Sequence, residues 1–204
     1  MSIKQTQTER EQTYFCTFTC VDWLHLFVTV DLYDEIYKWF NLLVGQQHQV
    51  VAFVIMPNHL HALIHLSQGE DSINTILANA KRFMAYEIVK RLEKDGREDI
   101  LSILAGRVTA EEKKRKKKHR VFEVSSDIKP CYTEKFLLQK LEYIHANPIS
   151  GKWHLAEIAE EYKHSSARFY ELNEEHPQIK ITHHKDLGFI LTEGSIVPEA
   201  GDDA

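Results

Sequence analysis

Two histidines separated by a single residue are the first candidates for chemistry in this sequence. His59 and His61 flank Leu60 in a segment of alternating side chains. Because successive side chains of a strand point to opposite faces, both imidazoles lie on one face and Leu60 lies on the other. Two imidazoles roughly 7 Å apart on a twisted strand can bind one divalent ion. Taken alone, the spacing is more typical of two structural histidines than of a metal site.

A run of cations is the second candidate. The chain has a formal net charge of −5, yet positive side chains are concentrated in one short segment. These residues are Lys113, Lys114, Arg115, Lys116, Lys117, Lys118 and Arg120. A basic patch on an otherwise acidic protein attracts phosphate over a Debye length of about 10 Å. The run therefore predicts contact with a nucleic-acid backbone, and a solvated, mobile loop is the alternative.

Two longer motifs resemble those of a known family. Residues 54–64 read VIMPNHLHALI, which resembles the HUH segment (histidine, hydrophobic residue, histidine) of REP-associated tyrosine transposases and related single-strand insertion-sequence transposases. Residues 141–148 read LEYIHANP and are similar to the family's Tyr-Ile-X-X-Asn-Pro stretch. A weaker similarity, to the family's paired-serine region, lies in YKHSSARFY at 162–170. The resemblance spans Tyr14 to about Tyr170, with the two main motifs in the expected order.

The resemblance implies an enzyme that cleaves and rejoins single-stranded DNA. It assigns Tyr143 as the nucleophile, which forms a 5′-phosphotyrosine, frees a 3′-hydroxyl and conserves bond energy for rejoining. It assigns His59 and His61 as ligands of Mg²⁺ or Mn²⁺, which would polarise the scissile phosphate. Asn147 is the candidate third ligand, since it lies one helical turn after Tyr143. Pro148 disfavours helical geometry at Asn147, so a helix cap is the alternative role. The implied partners are single-stranded or hairpin DNA and a second copy of the chain in a homodimer.

Other functions and other nucleophiles stay open at this point. The main alternative is a domesticated descendant that binds hairpin DNA without cutting it, although a pure binder does not need Tyr143 and both histidines. A histidine-triad hydrolase would need a third histidine where this chain has Leu63. The other tyrosines that could act as the nucleophile are Tyr132, Tyr162 and Tyr170.

The elements that must position these residues follow from apolar periodicity. Strands are predicted at 14–20, 49–56, 59–66 and 120–124. Helices are predicted at 31–45, 72–96, 133–147 and 157–172. This order predicts an α+β, ferredoxin-like split βαβ fold. It would have an antiparallel sheet of four or five strands, helices on one face and an added C-terminal helical region. The segment 97–119 is interpreted as a basic insertion or mobile loop.

Composition excludes several classes of protein. With 204 residues, 43% hydrophobic and 27% charged, the chain is long and apolar enough for one packed core. No apolar run approaches the roughly 20 residues of a membrane helix, and the polar N-terminus lacks a signal-peptide core. We therefore expect a cytoplasmic protein whose three cysteines are reduced, without membrane association. The transposase domain is placed at 1–175, and an acidic, partly disordered extension at 176–204.

Overall fold

A four-stranded antiparallel sheet in the order β2-β3-β1-β4 forms the centre of the fold. The computed structural model describes residues 12–67 and 71–187. The strands are β1 (Gln12–Thr19), β2 (Gln49–Ile55), β3 (His59–Leu66) and β4 (Asp127–Pro130). This strand order is that of the split βαβ arrangement, so the α+β, ferredoxin-like prediction is confirmed.

Seven helices accompany the sheet in the described part of the chain. They are α1 (Leu26–Thr29), α2 (Tyr33–Gly45), α3 (Ile73–Lys94), α4 (Glu98–Gly106), α5 (Ala110–Lys114), α6 (Glu134–Ala146) and α7 (Ala167–Leu172). Short 3₁₀ turns occur at Val21–Trp23, Asn147–Ile149, Ala159–Glu161 and His184–Asp186. None of the helices within 12–67 and 71–187 combines the length and apolarity needed to cross a bilayer.

The alternation of the strands divides the core between the two faces of the sheet. Even-numbered residues of β1 and β3, such as Phe18 and Leu60, pack against α2 and α3. Odd-numbered residues, such as Phe15 and Leu63, pack instead against the apolar side of α6. Because His59 and His61 are also odd-numbered, they lie on the face that carries α6.

The fourth strand lies at 127–130, and its prediction at 120–124 was wrong. β4 pairs with β1 from Tyr14 opposite Pro130 to Thr17 opposite Asp127. Residues 120–124 make only an isolated bridge, between Phe122 and Cys20. Phe122 is buried against the aromatic core of the α2–α3 face, so its apolar neighbourhood reflects packing rather than ladder pairing.

The segment 97–119, expected to be a basic insertion or mobile loop, contains two helices. Ile100, Leu101 and Leu104 of α4 are buried in the same core as α3. α5 begins with a capping box, in which Thr109 and Glu112 each accept a hydrogen bond from the other's backbone N–H. The charge of the segment concealed the helical spacing of the three apolar residues, and within it only residues 97, 107–109 and 115–119 form turns and irregular backbone.

The continuous helix predicted at 157–172 is also corrected. It is replaced by a 3₁₀ turn, a second turn with an isolated bridge at Ser165, and α7. Residues 164–166 lie along the outer edge of β2, where the Ile55 N–H donates to the His164 carbonyl at 2.8 Å. The Ser166 N–H donates to the Phe53 carbonyl at 2.9 Å. The paired serines therefore extend the edge of the sheet, and backbone pairing overrides the helical pattern.

The extension predicted from residue 176 starts with residues that belong to the core. Ile179 and Ile181 are buried in the cluster of the α2–α3 face, and Leu187 is buried in the cluster of the α6 face. The acidic tail, predicted to be disordered, lies outside the described residues.

Candidate active site

His59 and His61 lie side by side on β3 and line an open cleft of about 330 Å³. Their ring centroids are 4.7 Å apart and their planes are at 78° to each other. Leu60 and Ala62 point into the opposite core, as the alternation predicts. The strand therefore places both imidazoles at one edge of the cleft.

The orientation of each imidazole is fixed by a neighbouring polar side chain. The Asn58 amide donates from Nδ2 to the Trp23 carbonyl at 2.8 Å, which turns Oδ1 toward His59 Nδ1 at 2.6 Å. Because Oδ1 can only accept, His59 Nδ1 carries the proton and Nε2 retains its lone pair. His61 Nδ1 lies 2.6 Å from the Thr17 hydroxyl across the β1–β3 ladder. This contact leaves His61 Nε2 facing the cleft.

Burial keeps both imidazoles neutral. It lowers the pKa of His59 to about 4, an effect that the Asn147 side chain opposes and Lys152 reinforces. Burial, with smaller contributions from His59 and Lys140, lowers the pKa of His61 to about 3. Neutral imidazole is the form that binds a metal ion, so the two residues are in the ligand form near neutral pH without a competing proton.

Tyr143 faces the histidines from α6. Thr133 caps this helix by accepting a hydrogen bond from the Phe136 N–H at 3.2 Å, and the apolar side of the helix packs on the sheet. The Tyr143 hydroxyl then lies 3.5 Å from His61 Nε2. Phe15 supports both rings, stacking on His61 at 5.6 Å and meeting Tyr143 edge-on at 6.0 Å. With 46% of its surface exposed, Tyr143 is open to a ligand in the cleft.

Asn147 completes the cleft one helical turn after Tyr143. Its backbone keeps helical geometry, at φ −56° and ψ −47°, so Pro148 does not turn the side chain away. The reason is that the chain continues directly into the 3₁₀ turn Asn147–Ile149, where proline is tolerated near the first position. Asn147 Oδ1 is buried and accepts no hydrogen bond.

This donor set fits a divalent cation. It consists of two imidazole nitrogens that face the cleft and an amide oxygen that is buried and unsatisfied. Such an oxygen is costly to bury unless something binds it. Within the described ranges, no group of three or more His, Cys, Asp or Glu side chains is placed to hold a metal ion. A cation at this cleft would therefore depend on the Asn147 amide and on water for its oxygen ligands.

The other candidate tyrosines lie elsewhere. Tyr162 donates its hydroxyl to the Ile55 carbonyl at 2.8 Å, and Tyr170 donates to the Val51 carbonyl at 3.0 Å. Burial raises the pKa of both phenols. Neither of these residues nor Tyr132 is among the residues that line the cleft. Tyr143 is therefore the tyrosine that the fold places beside the histidines.

The basic run lies in α5 and the turn that follows it. Lys113, Lys114, Arg115, Lys116, Lys117 and Lys118 are exposed, and Arg120 is half-buried. Glu112 accepts hydrogen bonds from Lys117 Nζ at 2.8 Å and from Arg120 Nε at 3.0 Å. None of the seven cations lines the cleft. The structure thus separates the basic run from the histidines and Tyr143.

Sequence reasoning missed several residues at the cleft. Thr17 could have been found, since the pairing of two alternating strands places a residue of β1 opposite His61. Lys140, whose ammonium lies 5.6 Å from the Tyr143 ring centroid, is one turn of α6 before the tyrosine. Trp23, Lys152 and Trp153 come from irregular segments whose position no periodicity indicates.

Comparison with solved structures finds a neighbour described as a REP-associated tyrosine transposase bound to a REP hairpin. The match has probability 1.00, a TM-score of 0.57 and 14% sequence identity. It covers 81% of this chain and 82% of that chain. The fold is transposase-like. No protein-family model matches the chain, and no curated protein matches it.

Proposed function

We propose that this protein is a DNA transposase that cleaves and rejoins single-stranded DNA through Tyr143. One observation carries the proposal: the Tyr143 hydroxyl lies 3.5 Å from His61 Nε2 in an open cleft that also contains His59. The transposase-like fold and the hairpin bound by the structural neighbour support DNA as the substrate. The 3.5 Å approach of Tyr143 to His61 within one chain supports a site assembled in cis.

In the cleavage step, Tyr143 Oη attacks the phosphorus of a phosphodiester. The bond from Oη to phosphorus forms, the bond from phosphorus to the 3′ oxygen breaks, and that oxygen takes up a proton and leaves as a hydroxyl. The phenolic proton is transferred to water, because solvent reaches the exposed tyrosine. His61 is a poor base for this proton, since its pKa is about 3. The Lys140 ammonium supplies positive charge beside the Tyr143 ring. Attack by a 3′-hydroxyl on the phosphotyrosine reverses the step and rejoins the strand.

His59, His61 and Asn147 are the residues that would hold Mg²⁺ or Mn²⁺. When bound, such an ion withdraws electron density from the scissile phosphate and stabilises the charge of the leaving oxygen. The Nε2 atoms of both histidines and the unsatisfied Oδ1 of Asn147 are the donor atoms available for it.

The proposal also includes a role for the basic run in DNA binding. The basic run contacts the DNA backbone by charge, because phosphate contacts position a nucleic acid without reading its sequence. A homodimer and a cytoplasmic location, both expected from the sequence, stay predictions.

A covalent adduct tests this function. A 3′-labelled hairpin oligonucleotide with single-stranded flanks, incubated with Mn²⁺, is expected to give an adduct that survives SDS. Tyr143→Phe keeps the ring and the fold but removes the attacking oxygen, so adduct formation disappears while DNA binding persists. His59→Ala also loses the adduct, and excess Mn²⁺ restores part of it because other ligands remain.

Tyr132→Phe is the matched control, since Tyr132 is 47% exposed against 46% for Tyr143 and lies outside the cleft. It is expected to form the adduct as the wild type does. An adduct formed by Tyr143→Phe would assign the nucleophile to another tyrosine. A wild-type protein that binds hairpins but never forms an adduct would instead be a hairpin-binding protein without cleavage activity.

A further inference from the structure

A lysine held between two tryptophans forms one wall of the cleft. Lys152 Nζ lies 5.7 Å from the ring centroid of Trp23 and 5.5 Å from that of Trp153. Both indole rings lie 5.8 Å from the His59 ring. The three residues, referred to here as the tryptophan wall, therefore border the proposed metal site directly.

Trp23 is held in an exposed position by a strained backbone. The residue is 56% exposed, although tryptophan is usually well covered in a folded protein. Trp23 and its neighbour Asp22 both have left-handed backbone angles, with φ of 57° and 52°. Residues other than glycine rarely adopt this conformation, and such strain is concentrated at functional sites.

Several contacts hold this strained turn in place. Asn58, which also orients His59, donates to the Trp23 carbonyl. The Asp22 carboxylate accepts a hydrogen bond from Arg107 Nε at 2.6 Å. A structural role for the indole would not require such a conformation, because more than half of the residue's surface is exposed. The turn serves to present the indole to the cleft.

The surface offered by the wall suits one chemical class of ligand. Trp23 offers an exposed indole surface to a flat aromatic ring, Trp153 adds a half-buried indole beside it, and Lys152 supplies a positive charge next to both rings. Among the described residues that line the cleft, none is acidic. An unpaired nucleobase together with its phosphate has both the ring and the negative charge that this surface complements.

We propose that the tryptophan wall is a subsite that stacks an unpaired base of single-stranded DNA beside the scissile phosphate. The base lies against Trp23 and Trp153, and Lys152 contacts a neighbouring phosphate. This inference rests on the proposed function, because it names where the DNA strand lies relative to Tyr143. Stacking accepts any base, so the subsite adds affinity for single strands without selecting a sequence.

Binding of two oligonucleotides that differ only in their bases tests the subsite. Short oligo(dT) and an abasic deoxyribose-phosphate chain of the same length carry the same charge. Their affinities for the Tyr143→Phe protein, which cannot cleave, are compared by fluorescence anisotropy at one salt concentration. We expect oligo(dT) to bind roughly five- to 150-fold more tightly, the range for stacking of one base. Trp23→Ala and Trp153→Ala should each remove most of this preference.

Phe83→Ala is the matched control. Phe83 is 62% exposed on α3 and carries the Arg82 guanidinium 4.8 Å above its ring, so it combines an aromatic ring and a cation outside the cleft. Its replacement is expected to leave the preference for oligo(dT) unchanged. Two outcomes would overturn the subsite. One is equal binding of the two oligonucleotides by the Tyr143→Phe protein, and the other is a loss of the preference for oligo(dT) in Phe83→Ala as large as that in the tryptophan variants.

Tryptophan fluorescence gives a second measurement that needs no variant of the wall. The chain has three tryptophans, and Trp39 is 8% exposed in the core. Stacking on Trp23 and Trp153 should quench the emission with oligo(dT) and not with the abasic chain, and equal emission with both would contradict the proposal.

The adduct assay distinguishes the proposed cleavage activity from the proposed base-stacking subsite. If oligo(dT) alone quenches the emission but no adduct forms, the subsite is supported and cleavage is refuted. If an adduct forms but the protein shows neither the quenching nor the preference for oligo(dT), cleavage is supported and the subsite is refuted.

Discussion

At the scale of single residues, the two imidazoles of the cleft are oriented by polar side chains at their Nδ1 atoms. Thr17 and Asn58 contact the Nδ1 atoms of His61 and His59, so the Nε2 atoms point toward Tyr143 and Asn147. Partners of this kind fix the ring orientation of metal-binding histidines and contribute to metal affinity. The two histidines are therefore effective as ligands only together with the residues behind them.

Thr17→Val tests this dependence. Valine has nearly the shape of threonine and suits a strand, but it leaves His61 Nδ1 without its partner. We expect affinity for Mn²⁺, measured by calorimetry in the absence of DNA, to fall about 10- to 100-fold. Thr17→Ser restores the hydroxyl and should restore affinity. Equal loss in both variants would show that Thr17 acts through packing and not through the hydrogen bond.

At the scale of elements, the site depends on α6 lying across the face of the sheet that carries odd-numbered residues. Alternation predicted the face of His59 and His61, and helical spacing predicted that Tyr143 and Asn147 share a side. Their meeting depends on packing between segments more than 80 residues apart in sequence, as in the contact between Tyr143 and His61. Only the family resemblance indicated it before the structure did.

The secondary-structure predictions that were wrong have a common physical cause. Residues 120–124 are apolar because Phe122 fills the core, and the more polar β4 is a strand because it pairs with β1 at the edge of the sheet. In the same way, residues 164–166 are not helical because their backbone bonds to β2, with Ser165 bridged to Val54. The secondary structure of these segments is determined by long-range hydrogen bonding, which a local sequence pattern does not indicate.

The basic run of α5 and its following turn is predicted to act as one electrostatic element. Replacing Lys113, Lys114, Lys116 and Lys118 with glutamine leaves the pairs of Glu112 with Lys117 and Arg120 intact. Affinity for all single-stranded DNAs should fall about equally. The slope of log affinity against log salt should decrease by up to about 3, at roughly 0.7 for each phosphate that a lysine no longer neutralises.

A second quadruple variant controls for net charge. Lys90, Lys94, Lys163 and Lys180 are exposed lysines outside the basic run, and their replacement with glutamine changes the charge by the same amount. This variant should keep most of the slope. If both quadruple variants flatten the slope equally, only the total charge attracts DNA, and the basic run has no special role.

At the scale of the whole molecule, the structure holds several neutral histidines in its interior. Burial lowers the pKa of His145 and of His164 to about 4, in addition to the two histidines of the cleft. An unfolded chain binds protons on these imidazoles below about pH 6.5, whereas the folded chain does not. The free energy of unfolding therefore falls as the pH drops from about 6.5 toward 4.

His164 is the clearest test of this acid sensitivity, because it lies outside the cleft. Its ring stacks on Tyr33 at 3.6 Å, its Nδ1 lies 3.0 Å from the Tyr37 hydroxyl, and Lys163 and His176 further disfavour a second positive charge. His164→Phe keeps the stacking but cannot bind a proton in either state. Urea unfolding at several pH values should show that proton uptake on unfolding decreases by up to one proton between pH 6.5 and 4.

The His164→Phe variant is also expected to be less stable than the wild type at neutral pH, since Tyr37 loses its partner. This difference in the free energy of unfolding should shrink on acidification. Exposed His154, replaced by Asn, is the control for the histidine count. A proton uptake that is unchanged in His164→Phe would show that this histidine is already charged in the folded protein.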